Sequence, residues 1–301
     1  MRSPTYGTLL NPVPFCSPGS SLEMFRRICL SRYFELGIIR AVEAGFITCP
    51  LYLSFGQESV AAAMSMAIPE FMIFSQHRCH DIYLTFGGDP RKLRDELLGL
   101  PSGTSGGRAG SNCIQCHDDN ITMFGHHGLI GENVPLGVGA AFGSGKPVVC
   151  FFGDGAAEED YVFSAMGFAV THKLPVLFVC IDNNLSILTP VATRRKWSIT
   201  EVAGALGMPA CDISDDPWSV LAKTLELRNN LPAFINCYVC RWYWHSGTGT
   251  DGPPEWDRFN LIKEELRRRG ILEQACKLED EVRQDMEELW GIEQLRTLLG
   301  R

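Results

Sequence analysis

The chain has 301 residues, enough to bury a substantial core as one large domain or two small ones. Its 27 basic and 35 acidic side chains leave a net charge of −8, which gives no electrostatic reason to hold a nucleic-acid backbone. No apolar stretch approaches bilayer length, and the first twenty residues, with Pro4, Pro12, Pro14 and Pro18, lack the apolar core of a signal peptide; the expectation is a soluble cytoplasmic protein that does not engage a membrane.

After the proline-rich start, Ser20 and Glu23 predict a capping box for a helix that carries Leu22, Phe25, Cys29, Leu36 and Ile39 on one broad face. Gly56 to Ile68 reads as an alanine-rich helix opened near Gln57 and Glu58. Phe71 to Phe74 is a short buried strand, followed by a turn with Arg78 and His80. Gly103, Gly106, Gly107 and Gly110 fall among small polar residues between Gly99 and Ser111, which predicts a mobile loop. A small-residue helix over Gly137 to Gly145 leads into a buried strand, Val148 to Phe152. Glu158 to His172 lacks proline and is helical, and Val176 to Ile181 is a second buried strand. Ala233 to Trp242 supplies another strand, with a glycine-rich loop and His245 after it. From about Leu278, the residues Val282, Met286, Leu289, Trp290 and Leu298 recur near helical spacing and predict a packed stripe. No repeat and no linker interrupts the chain. It divides into an N-terminal extension (1–19), a central domain (20–256) and a C-terminal helical segment (257–301).

The twelve cysteines scatter through predicted strands and helices, as reduced core thiols do. Cys113/Cys116 and Cys237/Cys240 have Cys-x-x-Cys spacing, and Cys113 to His117 also fits a c-type haem pattern. The second pair lies in a predicted strand, where positions i and i+3 face opposite sides, and the haem pattern requires an export route.

The chemistry concentrates at two strand ends. Gly153-Asp154-Gly155 follows one apolar run and Asp182-Asn183-Asn184 the next, with a crossover helix between them. Strand, helix, strand places both oxygen-rich turns on one edge of a parallel sheet, where open α/β sheets bind ligands. A carboxylate and an amide oxygen brought together there suit Mg²⁺ holding a diphosphate, because Mg²⁺ takes few protein groups beside phosphate oxygens. Helix capping is the alternative for Asp154, and an ordinary asparagine turn for Asn183.

These features resemble the thiamin diphosphate motif. Gly56-Gln57-Glu58, Ser75-Gln76-His77-Arg78-Cys79-His80, Glu96-Leu97-Leu98-Gly99, Gly110-Ser111, Gly128-Leu129-Ile130-Gly131 and Val134-Pro135-Leu136 follow in the order seen in alpha subunits of 2-oxo-acid dehydrogenases. The resemblance covers roughly Ser20 to Ser246. It implies a parallel-sheet thiamin diphosphate-binding α/β fold with helices on both faces. The cofactors it implies are thiamin diphosphate and Mg²⁺, with Asp154, Asn183 and the carbonyl of Leu185 as metal ligands. Gly153, Asp154, Gly155 and Asn183 correspond to the cofactor-binding turns, and Arg78 to the arginine that neutralises the diphosphate. Gly128 and Ile130 correspond to backbone partners of the aminopyrimidine ring. His80 and His127 match catalytic positions near the diphosphate and the reactive thiazolium, and without the resemblance each reads as a structural histidine. His245 follows Arg241 as in an Arg-x-x-Gly-His-Ser segment, with Trp244 in place of the glycine.

In heterodimeric relatives the glutamate that activates the cofactor comes from a beta chain. The resemblance therefore implies an obligate beta-type, pyrimidine-domain partner, an alpha2beta2 assembly and a lipoyl acceptor protein. This chain departs from the pattern at Asp182, Glu158, Asp160, Ser164 and Cys113. The expected activity is decarboxylation of a 2-oxo acid with transfer of the fragment to an acceptor, either oxidatively or by carboligation. A cofactor-binding but catalytically silent scaffold subunit is the alternative that the departures suggest. A nicotinamide-binding Rossmann loop is disfavoured because Gly153 to Glu158 lacks the third glycine and aims an aspartate at a pyrophosphate. The basic run Thr193-Arg194-Arg195-Lys196 reads as a solvated loop, with attraction of an anionic substrate as the other possibility.

Overall fold

A computed structural model describes residues 14–250, 252 and 257–300. In chain order the elements are α1 (Pro18–Glu43), α2 (Glu58–Ala67), β1 (Met72–Phe74), α3 (His80–Thr85), α4 (Pro90–Leu97), β2 (Cys116–His117), β3 (Thr122–Phe124), α5 (Asn133–Ser144) and β4 (Val148–Gly153). A 3₁₀ turn (Ala156–Glu158) leads into α6 (Asp160–Thr171), β5 (Val176–Asp182), a small hairpin of β6 (Leu185–Ser186) and β7 (Thr189–Pro190), and the one-turn α7 (Val191–Arg194). The chain then forms α8 (Ile199–Leu206), β8 (Ala210–Ser214), α9 (Pro217–Leu227), β9 (Ala233–Tyr238), α10 (Arg258–Arg268), α11 (Leu272–Leu289) and α12 (Ile292–Leu299).

Seven strands form one sheet in the order β2-β3-β1-β4-β5-β9-β8. All pairings are parallel except β2 with β3. The central strands are buried on both sides, as parallel strands between helical layers must be. Their side chains alternate between two cores. Val149, Phe151, Leu177, Val179 and Ile235 pack toward residues of α1, α2, α9, α10 and α11. Val148, Cys150, Phe152, Val176, Phe178 and Phe234 pack toward α5, α6 and α8. The expected α/β architecture with helices on both faces is what forms. Among the described residues no helix is long and apolar enough to cross a membrane.

Several local expectations need correction. The first helix starts at Pro18, with Ser17 as the N-cap accepting from the Ser20 N–H at 3.1 Å, so Ser20 and Glu23 do not form a capping box. Proline fits the first helical position because its missing N–H has no intrahelical partner there. Glu23 instead pairs with Arg26 and Arg27. The loop from Gly99 to Ser111 is tied down: the Glu96 carboxylate accepts from the backbone N–H groups of Ser105, Gly107 and Ala109. Gly99, Gly106, Gly107 and Gly110 supply positive φ for that wrap. The strand at Ala233 stops at Tyr238, four residues short of Trp242. The C-terminal stripe is two helices: Trp290 separates α11 from α12, and Leu298 is exposed while Leu295 is buried.

The C-terminal stripe packs on α1, where Trp290 meets Phe34 edge-on at 5.1 Å and lies against Gly37, where a Cβ would collide with its indole. Pro4, Pro12 and the residues 253–256 that precede the division at 257 lie outside the described residues. All twelve cysteines are free thiols. Cys116 in β2 and Cys237 in β9 are five strands apart in the sheet, roughly 24 Å at the usual strand spacing, so the two Cys-x-x-Cys pairs do not share one ion.

Helix α5 lies close to the sheet because Gly137 has no side chain. A Cβ there would fall 2.4 Å from Cys150 Sγ and 3.1 Å from Phe74 Cγ. Gly137→Ala is expected to destabilise the fold by about 1–3 kcal/mol through overpacking. In denaturant titrations the Gly137→Ala, Cys150→Ala double variant should then be more stable than the sum of the single changes predicts. Strict additivity would show that this contact does not set the helix position.

Candidate active site

In the β4–β5 register Gly153 sits opposite Ile181, so Asp154 and Asp182 leave adjacent strands side by side. Gly153, Asp154, Gly155, Asn183 and Leu185 all line one cleft of about 160 Å³ at the carboxyl edge of the sheet, which brings the two strand tips together. Gln76, His77 and Arg78 enter it from the turn after β1, and His126, Ile130 and Asn133 from the approach to α5. Arg241 and His245 come from the segment after β9.

Asp154 is 1% exposed. Burial, reinforced by the neighbouring Asp182 carboxylate and opposed by Arg194 and Arg195, pushes its carboxyl up to about 6. Arg194 Nη2 bonds its Oδ2, and Arg195 Nη1 donates to its backbone carbonyl at 2.6 Å. Both guanidiniums also donate to Glu158 Oε1 at 2.7 Å. Within the run Thr193 to Lys196 the ends are exposed as expected but the two arginines are not solvated: Arg195 is buried and stacked near Trp197, and both arginines are committed to the acidic groups that follow β4. Sequence reading missed this pairing because the partners lie 36–40 residues apart.

Asn183 Oδ1 accepts from the Leu185 N–H at 3.1 Å, a turn that Asn184 completes with φ of 66°. Asp182 is consumed locally: Oδ1 accepts from the Asn184 N–H at 2.9 Å, and Asn236 Nδ2 approaches Oδ2 at 3.5 Å. One carboxylate, one amide oxygen and one carbonyl make a donor set suited to Mg²⁺ beside phosphate oxygens. Among the described residues there is no group of three or more His, Cys, Asp or Glu side chains that could hold an ion by themselves. At Gly155 a Cβ would lie 2.6 Å from Ser186 Oγ, so the turn closes against the hairpin only without a side chain.

Arg78 is buried and braced, with Nη1 on the Leu53 carbonyl and Nη2 donating to the His245 carbonyl at 3.2 Å. That second bond joins the segment after β1 to the segment after β9, the two strands that flank β4 and β5. His77 and His245 meet beneath it, ring centroids 5.3 Å apart, each also edge-on to Tyr52. Asn133 Nδ2 bonds the carbonyls of Phe74 (3.1 Å) and Phe151 (2.7 Å), clamping β1 to β4 under the cleft. Asn133 Oδ1 is buried with no hydrogen-bond partner among the described residues, and His126 Nδ1 has only the Glu132 carboxylate at 3.9 Å. His77 and Arg241 stand within motif strings without a role of their own, and Asn133 and His126 lie just outside theirs, so the sequence carries no direct signal for them.

Of the remaining candidates, Ile130 lies in the cleft lining, and His80, His127 and Gly128 do not. His80 is fully buried and not in the cleft lining: Nδ1 is 2.9 Å from Glu35 Oε1 and Nε2 is 2.9 Å from Ser111 Oγ, so both ring nitrogens are engaged. His127 is exposed, its Nε2 2.9 Å from Glu132 Oε2, and Gly128, with φ of 115°, is also outside the lining. The Ile130 carbonyl is taken by the Tyr161 hydroxyl.

The chain matches the family model described as Dehydrogenase E1 component over residues 26–278. It is similar to the pyruvate dehydrogenase E1 component subunit alpha of Zymomonas mobilis, 30% identical over 302 residues covering 89% of this chain and 82% of the relative. The mitochondrial subunit of Schizosaccharomyces pombe is 30% identical over 243 residues, covering 76% of this chain and 58% of that protein. The mitochondrial alpha-1 subunit of rice is 34% identical over 179 residues, covering 58% of this chain and 45% of that one. The chain thus spans about half the length of these two mitochondrial relatives. A transketolase from Leishmania mexicana shares the fold, with a TM-score of 0.57 at 15% identity over 95% of this chain and 48% of its own.

Burial, with Arg78 and Arg241 acting in the same direction, pushes the His245 imidazole from 6.5 down to about 4, and His77 is pushed well below its ordinary value by burial and then Arg78. Both rings are neutral at pH 7. The unfolded chain binds these protons first as pH falls, so stability is full above about 6.5 and declines toward about 4. A His77→Gln, His245→Gln double variant is expected to flatten the fall in melting temperature across that window. An unchanged slope would show that the two rings do not carry it.

Proposed function

Because the chain belongs to the dehydrogenase E1 component family, we propose that it is the alpha-type half of a thiamin diphosphate enzyme that decarboxylates a 2-oxo acid and passes the remaining fragment to an acceptor such as a lipoyl group. The observation that carries this reading is the convergence of Asp154, Asn183 and Leu185 on one cleft, faced by Arg78 and Arg241. When bound, thiamin diphosphate supplies the electron sink that lets carbon dioxide leave a 2-oxo acid.

The chain's own residues hold and orient. Arg78 and Arg241 neutralise diphosphate oxygens, and Arg78 arrives already braced by the Leu53 and His245 carbonyls. Asp154, Asn183 and the Leu185 carbonyl would hold Mg²⁺ beside the diphosphate. His77 and His245, neutral and flanking Tyr52, offer hydrogen bonds without adding charge to the cleft. His80 acts as a positioning residue through the Glu35–His80–Ser111 line, since Ser111 Oγ accepts from the Tyr52 N–H at 2.9 Å. His127, standing out from the wall on Glu132, is available to a site completed by a second chain. That second chain is a beta-type subunit, in an alpha2beta2 assembly.

Thiamin diphosphate titrated into the protein is expected to bind with Mg²⁺ and to lose at least about 100-fold in affinity in Asp154→Ala, the scale for removing a buried charged partner. Equal binding with and without Mg²⁺ and in Asp154→Ala would end this reading. Turnover of a 2-oxo acid by the isolated chain would remove the two-chain site. The scaffold alternative predicts full complex activity in a His80→Ala, His127→Ala variant; the present reading predicts a loss of about tenfold or more.

A further inference from the structure

Arg194 is paired with the carboxylate of Asp154, the group that a divalent cation in this cleft would also use. Its Nη2 lies on Oδ2 of Asp154, its Nη1 donates to Glu158 Oε1 at 2.7 Å, and its Nε donates to the Thr189 carbonyl at 3.2 Å. All three guanidinium nitrogens are therefore engaged, and the side chain is 13% exposed. Its backbone follows directly from the tip it guards. The Val191 N–H donates to the Asn184 carbonyl at 3.0 Å, so the hairpin of β6 and β7 folds α7 back over the end of β5.

Two of the three anchors do not involve Asp154. Glu158 and the Thr189 carbonyl hold Arg194 independently of it. Glu158 in turn is shared with Arg195, which also fixes the Asp154 carbonyl. A guanidinium on Oδ2 and a divalent cation approaching the same carboxylate repel each other, so each weakens the other's hold on Asp154. Ligation of a cation by Asp154 therefore favours withdrawal of Arg194 from Oδ2, and its remaining anchors on Glu158 and the Thr189 carbonyl leave it somewhere to stay.

Resting on the reading of Asp154 as a cation ligand, we propose that Arg194 is a built-in competitor of the divalent cation: it neutralises Asp154 until the cation and diphosphate arrive, then holds to Glu158 and Thr189. The competition raises the Mg²⁺ concentration at which the chain loads its cofactor. Glu158 has the opposite effect, because it gives Arg194 an alternative partner.

The test uses the full chain purified with its beta-type partner, titrated with Mg²⁺ at saturating thiamin diphosphate and followed by calorimetry and tryptophan fluorescence. Arg194→Gln is expected to lower the half-saturating Mg²⁺ concentration about tenfold, the scale of one charged hydrogen bond. Glu158→Gln is expected to raise it. Arg194→Lys serves where the glutamine variant does not fold: lysine cannot fork onto both carboxylates, so its midpoint also falls. An unchanged or raised midpoint in the Arg194 variants, or a lowered one in Glu158→Gln, overturns the competitor and leaves the cation reading standing. Wild-type-like Mg²⁺ binding by Asp154→Ala overturns the cation reading and the competitor with it.

Discussion

A carboxylate at the end of a doubly buried strand has to be neutralised, and most of the cleft's structure follows from how this chain does so. Strands β4 and β5 have no solvent on either face, so polar groups can emerge only at their ends. Their parallel register delivers Asp154 and Asp182 there together. Two neighbouring carboxylates cannot both remain ionised without partners. Asp182 is satisfied by its own turn and by Asn236, which leaves Asp154 as the charge that depends on groups from elsewhere in the chain.

The cationic side of the cleft is held by a comparable economy of short connections. The segment from Leu51 to Glu58 gives its Leu53 carbonyl to Arg78, its Ser54 N–H to Glu35 and its Tyr52 N–H to Ser111. His80 joins Glu35 to Ser111, so one buried imidazole ties α1, α3 and the glycine-rich loop to the backbone of Tyr52. Glu58 closes the same segment by accepting from the Gly56 N–H at 2.9 Å and from Arg32 Nε at 2.6 Å. The Gly56-Gln57-Glu58 string is thus structural: it fixes the backbone from which Leu53 braces Arg78 and Tyr52 meets His77 and His245. A site whose lining is anchored this way is pre-organised, and little has to move for a charged ligand to be held.

What the sequence made legible was the part governed by local pattern. Apolar runs ending in Gly-Asp-Gly and Asp-Asn-Asn identified β4 and β5 because a parallel strand needs continuous hydrophobicity and its end needs a turn. The helix of Glu58 was visible from its alanines for the same reason. Strand β8 was not, since Ala210–Ser214 is an edge strand whose side chains are mostly half-buried, so no strong pattern marks it. Within the site, Asp154, Asn183 and Arg78 stand in their strings, whereas Asn133 is found only by knowing that its amide meets the carbonyls of Phe74 and Phe151. His80 and His127 were read from position alone, and burial assigns one to a buried network and the other to the surface. Arg194 and Arg195 looked like a charge run because pattern reading cannot pair a loop with carboxylates on a preceding strand end.

The pairing also explains why Glu158 and the two arginines belong to one argument. Glu158 alone, one turn after Asp154, would add a third carboxylate to a place already strained by two, and Arg194 with Arg195 alone would add unpaired cations. Together they bring Asp154, Asp182, Glu158, Arg194 and Arg195 to a small net negative charge beside the tips of β4 and β5. Arg78 and Arg241, from the segments after the flanking strands, supply positive charge to the same cleft. An anion accompanied by a cation matches that division, the cation directed to the carboxylate end and the anion to the guanidiniums, whereas an anion alone would be attracted by one group and repelled by the other. The charge layout therefore selects for a paired ligand, and it does so through residues from four different strand-to-helix connections of one sheet, those after β1, β4, β5 and β9.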